Sequence, residues 1–346
     1  MRAVVFAEPG RVEVADVPEP ELREPTDALV RVTRAAICGS DLHFLHGKTP
    51  TAMGEVLGHE AVGVVEAVGA EVGSFRPGER VVLSFAVACG RCWFCLRGET
   101  NLCEQAAVFG AGPFGGNLAG AQAEMVRVPW ADVNLLGVPA AVDDDRAVFV
   151  GDVLTTGFHA ATLAEAAPSD VVAVLGAGPV GWCAALSLRS LGVERVFLLD
   201  REPARLALAA EAGAVPVHVG QQSAESALAE ATGDRGADVA IDAVGAADAY
   251  QSATTIVRRG GRVVVAGVYA GESVELQLGV AWARALDLRF TGVCPVHTGW
   301  RGVMQKVEEG ALDPLPYVSD RLPLEQAPSG YERFDRREAS KVLLEP

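Results

Sequence analysis

Hydrophobic and polar residues alternate over short segments in the first part of the chain. Between residue 1 and about residue 135 these segments include AVVFAE, DALVRVTRAAI, EAVGVVEAVG, ERVVLSF and AEMVRVP, with prolines and glycines between them. Alternation with a period of two, bounded by turn residues, is typical of half-buried β-strands. We therefore predict a mostly β domain over residues 1–153.

The pattern changes near residue 154, where short apolar runs begin to alternate with helical segments. In chain order these are VVAVLG, GPVGWCAALSLRSLG, RVFLLD, PARLALAAEAG, ADVAIDAVG, a helical stretch to Arg259, and GRVVVAGV. Buried β-branched runs separated by helices indicate a parallel sheet with helices on both faces. We predict an α/β domain over residues 154–292.

The last part of the chain contains one short helical pattern, WRGVMQKVEEG, and closes on KVLLEP, which we predict to be an edge strand. We expect residues 293–346 to return to the first domain. The α/β domain is then inserted between two pieces of the mostly β domain.

Composition and charge describe a folded chain and lower the expectation of some partners. Of the 346 residues, half are hydrophobic and 21% are charged. A formal net charge of −16 repels phosphate backbones and anionic lipid headgroups, so we expect neither nucleic acid nor membrane as a partner. The N-terminus shows no signal-peptide pattern and no apolar run has the length of a membrane span, so a cytoplasmic location is expected.

Four of the seven cysteines lie in the segment ACGRCWFCLRGETNLC. Cys89, Cys92, Cys95 and Cys103 are separated by two, two and seven residues, which suits a tetrahedral zinc shell within one lobe. Four thiolates leave no open position for a substrate, so we predict a structural zinc site. The alternative is a set of four unrelated free thiols.

A glycine motif follows the first strand of the α/β domain, in VVAVLGAGPVGWCAA. Gly176, Gly178 and Gly181 permit a tight turn, close approach of a pyrophosphate and close helix packing. Asp200 ends the next strand, 19 residues after Gly181, and its carboxylate favours the ribose hydroxyls of NAD over the 2′-phosphate of NADP. Arg201 is the competing influence, and a purely structural glycine turn is the alternative.

A third group of polar residues is dispersed through ICGSDLH, LGHE and GDVLTTGFHA. Their spacing alone does not join them, because single cysteine, histidine and aspartate residues are more often core or capping groups. The residues are Cys38, Ser40, Asp41, His43, His59, Glu60 and Asp152.

Together these segments resemble, over essentially the whole chain, the zinc-containing medium-chain dehydrogenases, which include alcohol, sorbitol, threonine and glutathione-independent formaldehyde dehydrogenases. The resemblance implies a doubly wound parallel Rossmann sheet inserted in a mostly β, GroES-like catalytic domain, and a homo-oligomer, either tetramer or dimer. It also implies a catalytic zinc ion held by Cys38, His59 and Asp152. Many members have cysteine or glutamate where this chain has Asp152.

The resemblance further implies that zinc acts as a Lewis acid on an alcohol whose carbon passes a hydride to NAD. Ser40 and His43 match a relay that carries the released proton to water. Asp41 matches the carboxylate that orients the histidine ligand, here His59. Glu60 matches a glutamate that approaches the zinc during ligand exchange, although a buried supporting acid is an equal alternative.

Three further positions match residues that contact the cofactor. Thr156 and Val180 match contacts to the nicotinamide, and Lys341 matches a basic residue at the pyrophosphate.

Broad oxidation of primary or secondary alcohols is the expected reaction, with formaldehyde, a polyol or threonine as alternative substrates. The segment FGGNLAGAQAE resembles the formaldehyde dehydrogenase-like branch.

Two other kinds of protein are alternatives. The first is a zinc-free quinone reductase of the same superfamily, which the predicted zinc ligands argue against. A zinc-ribbon interaction module fused to a nucleotide-sensing domain is the alternative from another class, but it leaves Cys38, His59 and Asp152 unexplained.

Overall fold

The computed structural model describes residues 1–269 and 273–346. The strands are β1 (Arg2–Glu8), β2 (Arg11–Asp16), β3 (Ala28–Ala36), β4 (Glu60–Val68), β5 (Arg80–Leu83), β6 (Ala86–Val87), β7 (Ala107–Val108), β8 (Met125–Val128), β9 (Leu135–Gly137), β10 (Val171–Leu175), β11 (Arg195–Asp200), β12 (Val215–His218), β13 (Ala237–Asp242), β14 (Val257–Val265), β15 (Asp287–Phe290), β16 (Asp320–Pro323) and β17 (Val342–Glu345).

The α-helices are α1 (Asp41–Leu45), α2 (Ala131–Asn134), α3 (Asp144–Val150), α4 (Val153–Ala164), α5 (Pro179–Ser190), α6 (Pro203–Leu206), α7 (Ala224–Thr232), α8 (Ala247–Ile256), α9 (Leu278–Ala283), α10 (Val296–Glu308) and α11 (Ala327–Asp335). Short 3₁₀ helices cover Cys95–Arg97, Thr100–Leu102, Gly112–Gly115, Leu315–Tyr317 and Leu324–Gln326. No single helix in the described ranges is long and apolar enough to cross a membrane. Only α3 and α4 taken together, with a 47° bend between them, have that length and composition.

The described chain divides into two compact units. One comprises Met1–Thr155 together with Pro295–Pro346, and the other comprises Thr156–Cys294. The predicted boundaries, after residues 153 and 292, each lie two residues before the observed ones. The last segment of the chain therefore belongs to the same unit as its first part.

The first unit is built on a sheet with the strand order β16-β17-β3-β4-β5-β9, in which β8 also pairs with β3. The alternation in the sequence places its apolar side chains in the core: Val30 and Val32 of β3 are buried, whereas Arg31 between them is exposed. The strands β3, β4, β5 and β9 pair antiparallel. This sheet carries the first two dispersed segments, because Cys38 follows β3 and His59 precedes β4.

The second unit is a six-stranded sheet with the order β12-β11-β10-β13-β14-β15, and all its pairs are parallel. All five residues of β10 are buried, which fits a central strand covered on both faces. The strand order reverses direction between β10 and β13, the point where doubly wound sheets bind nucleotides. The predicted doubly wound parallel sheet is confirmed.

Several predicted elements have different bounds or positions. The closing segment KVLLEP is not an edge strand, because β17 lies between β16 and β3. The edge is β16, whose sequence DRLP has little apolar pattern and ends in a proline that an edge strand tolerates. The helical stretch expected to reach Arg259 ends at Ile256, because the β-branched Val257 begins β14. The helix α11 was not predicted.

Candidate active site and structural metal site

The four clustered cysteines lie together in the first unit. Their sulfur atoms are all within 4.8 Å of one another, with Cys89 Sγ 4.0 Å from Cys95 Sγ and Cys92 Sγ 3.9 Å from Cys103 Sγ. Thiolates at about 2.3 Å from a tetrahedral zinc ion stand about 3.8 Å apart. The structure therefore brings all four predicted ligands into an arrangement of the size that a zinc ion requires.

Backbone amides support the negative charge of this lobe. The amides of Cys89 and Gln105 donate to Cys103 Sγ at 3.2 and 3.3 Å. Hydrogen bonds led by the backbone amide of Cys95 lower the pKa of Cys92 to about 6. These donors all belong to residues 89–105, so the lobe obtains both its ligands and part of its charge stabilisation locally.

A second group of metal-ligating side chains lies in the same unit and is formed from distant segments. Donor atoms of Cys38, His59, Glu60 and Asp152 lie within 4.8 Å of one another, and all four residues are buried. Asp152 Oδ2 lies 3.6 Å from Cys38 Sγ and 3.3 Å from His59 Nε2. The three predicted ligands of the catalytic zinc therefore meet at one point, which we call the mixed centre.

Asp152 reaches the mixed centre from the short link between α3 and α4. The preceding residue, Gly151, lies so close to β5 that a Cβ atom there would stand 2.1 Å from the carbonyl oxygen of Leu83. This approach allows the amide of Phe85 to donate to the carbonyl oxygen of Gly151 at 3.0 Å. Only glycine fits this position, and the resulting backbone contact fixes the link that carries Asp152.

The electrostatics of the mixed centre favour a bound cation. Burial raises the pKa of the Cys38 thiol, and the charges of Asp152 and Glu60 add to that effect. Burial opposes the charged form of His59, yet Asp41 and Cys38 raise its pKa well above the usual range. Thiolate, carboxylate and imidazole are all zinc donors, so the residues present fit a zinc ion.

Glu60 is engaged by a cation from the end of the chain. The Lys341 ammonium forms an ion pair with Glu60 Oε2, and both side chains are fully buried. Burial raises the pKa of Glu60 to about 7 in spite of the opposing charge of Lys341. Because this pair is neutral overall, the charges of Cys38 and Asp152 are left to balance a divalent ion.

Lys341 takes part in a contact that was not predicted. It precedes β17, and its side chain is buried against Glu60. Its contact with a pyrophosphate stays a prediction. The sequence offered no signal for the ion pair, because the partners are 281 residues apart.

Asp41 fixes the orientation of the His59 ring. Asp41 Oδ1 lies 3.3 Å from His59 Nδ1. A carboxylate only accepts hydrogen bonds, so Nδ1 carries the proton and the lone pair of Nε2 faces the mixed centre. Ser40 Oγ lies 3.1 Å from His59 Nε2, which brings the predicted relay hydroxyl to the same point. His43 lies half-buried on α1, and its part in the relay stays a prediction.

Two aromatic residues near these segments have different surroundings. The Phe85 ring lies edge-on to the His59 ring with centroids 6.2 Å apart, so it is a wall of the mixed centre. Trp93 is 58% exposed, and the Arg97 guanidinium lies over its ring at 4.5 Å. Of these two aromatic residues, Phe85 is therefore the one that contacts a predicted ligand of the mixed centre.

In the second unit, the glycine motif joins β10 to α5. Gly176 has a φ of +93°, and a Cβ atom on Gly181 would lie 1.8 Å from the carbonyl oxygen of Gly176. Gly178 is the N-cap of α5, and Val180 lies in its first turn. The turn requires glycine at two of its positions, and it leaves the helix N-terminus free to bind an anion.

Asp200 ends β11 beside this turn. Its Oδ2 accepts from the amide of Ala177 at 2.6 Å, and its Oδ1 accepts from the amides of Arg201 and Glu202 at 2.6 and 2.9 Å. The carboxylate is therefore fixed across the glycine turn. Thr156, on α4, begins this unit, and its contact with the nicotinamide stays a prediction, as does that of Val180.

A basic side chain that was not predicted, Arg205, lies beside the glycine turn. Arg201 forms an exposed ion pair with Asp248 at 2.8 Å. The Arg205 guanidinium instead stands beside Gly178, where an added Cβ would lie 3.8 Å from its Nη1, and its buried Nε has no hydrogen-bond partner among the described residues. Its position five residues after Asp200, on the following helix, was the available signal.

The chain matches two family models. The alcohol dehydrogenase GroES-like domain matches residues 24–139, and the zinc-binding dehydrogenase domain matches residues 179–309. Zinc-type alcohol dehydrogenase B of Aspergillus flavus is 35% identical over 360 aligned residues, which cover 99% of this chain and 81% of the relative.

Solved structures are similar over the whole chain. The alcohol dehydrogenase TADH from Thermus sp. ATN1 has 46% identity and a TM-score of 0.95, with 100% of this chain and 99% of that chain covered. A zinc-binding dehydrogenase from Sinorhizobium meliloti 1021, bound to NADP, has 31% identity and a TM-score of 0.88, with coverage of 100% and 99%. This chain belongs to the zinc-type alcohol dehydrogenase family of the medium-chain dehydrogenases, as its ligand clusters and its inserted Rossmann unit indicate.

Proposed function

We propose that this protein oxidises primary or secondary alcohols to aldehydes or ketones with NAD, reversibly, and binds two zinc ions per chain. The observation that carries the proposal is the convergence of Cys38, His59 and Asp152 on one buried point beside the Ser40 hydroxyl. Three protein ligands leave a position open for a substrate, whereas the four-cysteine lobe leaves none.

The residues at the mixed centre have different proposed roles in the reaction. Zinc supplies Lewis acidity that lowers the pKa of an alcohol and polarises a carbonyl. The thiolate of Cys38 and the carboxylate of Asp152 balance the charge of the ion. Ser40 Oγ accepts the proton of the alcohol and passes it on to the relay, in which His43 is the proposed outlet to water.

We propose NAD as the cofactor because Asp200 presents a fixed carboxylate where an adenosine ribose would bind. A 2′-phosphate would meet like charge there. The structure of the Sinorhizobium meliloti protein with NADP makes this a point to test rather than a family rule. The test compares kcat/KM for NAD and NADP in the unmodified enzyme and in Asp200→Gly.

We expect the unmodified enzyme to favour NAD and Asp200→Gly to move the ratio toward NADP. Arg205 is the cation placed to pair with the 2′-phosphate in that variant, so Asp200→Gly/Arg205→Ala should lose the gain, whereas Asp200→Gly/Arg201→Ala should keep it. An unmodified enzyme that favours NADP, or a ratio that Asp200→Gly does not move, would contradict the ribose assignment.

The substrate is tested with initial rates across primary and secondary alcohols, formaldehyde, polyols and threonine, all with NAD. Phe85 gives the mixed centre an apolar wall, which favours an alkyl or aryl alcohol over a polyol. A kcat/KM for formaldehyde, a polyol or threonine that exceeds the values for simple alcohols would replace the proposed substrate class.

We propose a homo-oligomer, and β15 is the strand at which two copies would pair. It is the last strand of the second unit's sheet, and an edge strand offers unpaired backbone groups to a partner. Large apolar side chains near it are exposed, with Trp282 at 83% and Phe290 at 67%. Sedimentation of the protein and of Phe290→Lys would show a dimer or tetramer in the first and a smaller species in the second.

We propose the cytoplasm as the location and small molecules as the partners. No disulfide joins any of the cysteines in the described part of the chain, which fits a reducing compartment. The net charge of −16 disfavours binding to nucleic acid or to anionic membranes.

A further inference from the structure

Two further buried polar side chains, Gln122 and Tyr331, are linked by hydrogen bonds to Asp41, and the sequence motifs assigned no role to either. Gln122 precedes β8 and is fully buried, and Tyr331 on α11 is 1% exposed. Gln122 Nε2 donates to Asp41 Oδ2 at 3.1 Å and to the carbonyl oxygen of Ala36 at 3.0 Å. The Tyr331 hydroxyl lies 2.8 Å from Gln122 Oε1.

The donors and acceptors along this chain are fixed in one direction. The carbonyl of Ala36 can only accept, so the NH₂ group of Gln122 must face it and Asp41. The carbonyl oxygen of Gln122 then faces Tyr331, whose hydroxyl must donate. Burial and the charge of Asp41 hold the pKa of Tyr331 well above its usual range, so the hydroxyl keeps its proton.

Asp41 is the link of this chain that contacts the proposed zinc ligands. Asp41 Oδ2 also accepts from the amide of Cys38 at 2.9 Å, and Asp41 Oδ1 faces His59 Nδ1 at 3.3 Å. Asp41 therefore contacts both of these residues through its carboxylate, and Gln122 holds one oxygen of that carboxylate.

Packing leaves little freedom for Gln122. Gly58, which precedes His59, has a φ of +91°, and a Cβ atom there would lie 2.3 Å from Gln122 Cγ. The side chain of Gln122 thus lies directly against the backbone that carries His59. A shift of Gln122 would move both the Asp41 carboxylate and the ligand strand.

We propose that Tyr331 and Gln122 form a buried hydrogen-bond relay that positions Asp41 and, through it, His59 and Cys38 for zinc. Both are positioning residues, since neither reaches the metal or a substrate. The relay also links Pro295–Pro346, the last segment of the chain, to the mixed centre, because α11 supplies Tyr331. The inference rests on the proposed function, in which the mixed centre holds zinc.

The experiment measures the zinc affinity of the mixed centre by competition with a chelator, counting zinc per chain, with the four-cysteine zinc as internal reference. Gln122→Met has a similar volume but no donor. Direct partners of metal ligands, here Asp41, contribute about 10- to 100-fold in affinity, so for Gln122, one contact further out, we expect about tenfold weaker binding. Tyr331→Phe removes only the outer donor and should weaken binding by a smaller factor, about threefold. Tyr250→Phe, which removes a buried hydroxyl in the second unit, is the control and should not change the affinity.

Cobalt substitution gives a second readout that a loss of stability alone would not change. A rotated His59 ring alters the visible absorption of cobalt at the mixed centre, and we expect that change in Gln122→Met and not in Tyr250→Phe. If Gln122→Met does not fold, Tyr331→Phe decides the question.

Two results are distinguishable. Unmodified protein that holds two zinc ions, together with unchanged zinc affinity and cobalt spectra in both relay variants, would overturn the relay alone. Unmodified protein that holds only the four-cysteine zinc would overturn the proposed function, and the relay with it.

Discussion

The four-cysteine lobe and the mixed centre lie in the same unit but are built in opposite ways. The lobe takes all four ligands from residues 89–103, and nearby backbone amides stabilise its thiolates. The mixed centre takes ligands that are 114 residues apart, and buried side chains from other segments support them. A local cluster can close around a metal by itself, whereas a cluster that must stay open depends on its surroundings.

This difference has a chemical reason. Four thiolates saturate a tetrahedral ion, so the lobe needs no further control of its geometry. An open site must keep three ligands in place without a fourth protein ligand, and it must keep its net charge low for the substrate to bind. Asp41 keeps two of the ligands in place by contacting His59 and Cys38. Lys341 keeps the net charge low by neutralising Glu60.

The largest expected effect comes from removing a ligand of the mixed centre. His59→Ala should lower the rate of alcohol oxidation by about 10³-fold or more, because Lewis acidity contributes several kcal/mol to the reaction. Zinc content should fall from two ions per chain to one. Cys103→Ser is the matched variant in the lobe. It should lose the zinc ion of the lobe, and it should lose thermal stability before it loses activity. Equal rates of alcohol oxidation in His59→Ala and in the unmodified protein would contradict the proposed difference between the mixed centre and the lobe.

The next effect concerns the buried ion pair. Lys341→Met leaves Glu60 as an unpaired buried carboxylate, and breaking a buried pair costs about 3–5 kcal/mol. We expect the free energy of unfolding in denaturant to fall by that amount. Glu60→Gln/Lys341→Met removes both charges and should regain most of the loss. A double variant no more stable than Lys341→Met would show that the ion pair is not what the lysine supplies.

A pH effect tests whether the lobe also depends on side chains outside residues 89–105. His297 Nε2 donates to Asn134 Oδ1 at 2.8 Å, and Asn134 holds the backbone of Ala88 beside Cys89. Burial lowers the pKa of His297 to about 4. Between about pH 6.5 and pH 4 the unfolded chain binds the extra proton, so the free energy of unfolding falls as the pH falls, by up to about 1.4 kcal/mol per unit.

His297→Gln keeps a donor for Asn134 but does not titrate. The free energy of unfolding of this variant should therefore depend less on pH in that range than that of the unmodified protein. Equal slopes in the two proteins would mean that His297 does not couple the lobe to pH.

The smallest effect of the series concerns the relay hydroxyl. Ser40→Ala should slow alcohol oxidation by about 10²-fold, the lower end of what general acid–base groups contribute, while zinc content and NAD affinity stay the same. Pre-steady-state rates separate the chemical step from product release. A chemical step of unchanged rate would remove Ser40 from proton transfer.

The sequence allowed more to be predicted for local features than for distant ones. The four cysteines, the glycine turn and Asp200 were identified because each group lies within one short segment or one βαβ unit. Cys38, His59 and Asp152 required a resemblance, since no spacing rule joins a residue after β3, a residue before β4 and a residue in the α3–α4 link. The supports Tyr331 and Arg205 carried no motif, and Gln122 lies in FGGNLAGAQAE, a segment that indicated only a resemblance to one branch of the family.

The same contrast between local and distant features explains the errors in the predicted fold. Strands with clear alternation were located well, and β16 was missed because DRLP shows almost none. The sequence KVLLEP was assigned to an edge, but its place in the sheet is decided by tertiary contacts, which put β17 between β16 and β3.

The metal content of the purified enzyme, measured together with its activity as one ion is removed, tests the catalytic zinc site most directly. We predict two zinc ions per chain, and we predict that mild chelation removes the ion of the mixed centre first, with alcohol oxidation falling in proportion while the lobe keeps its zinc. One zinc ion per chain with full activity, or full activity after the more labile ion has left, would contradict the assignment of Cys38, His59 and Asp152 to a catalytic metal.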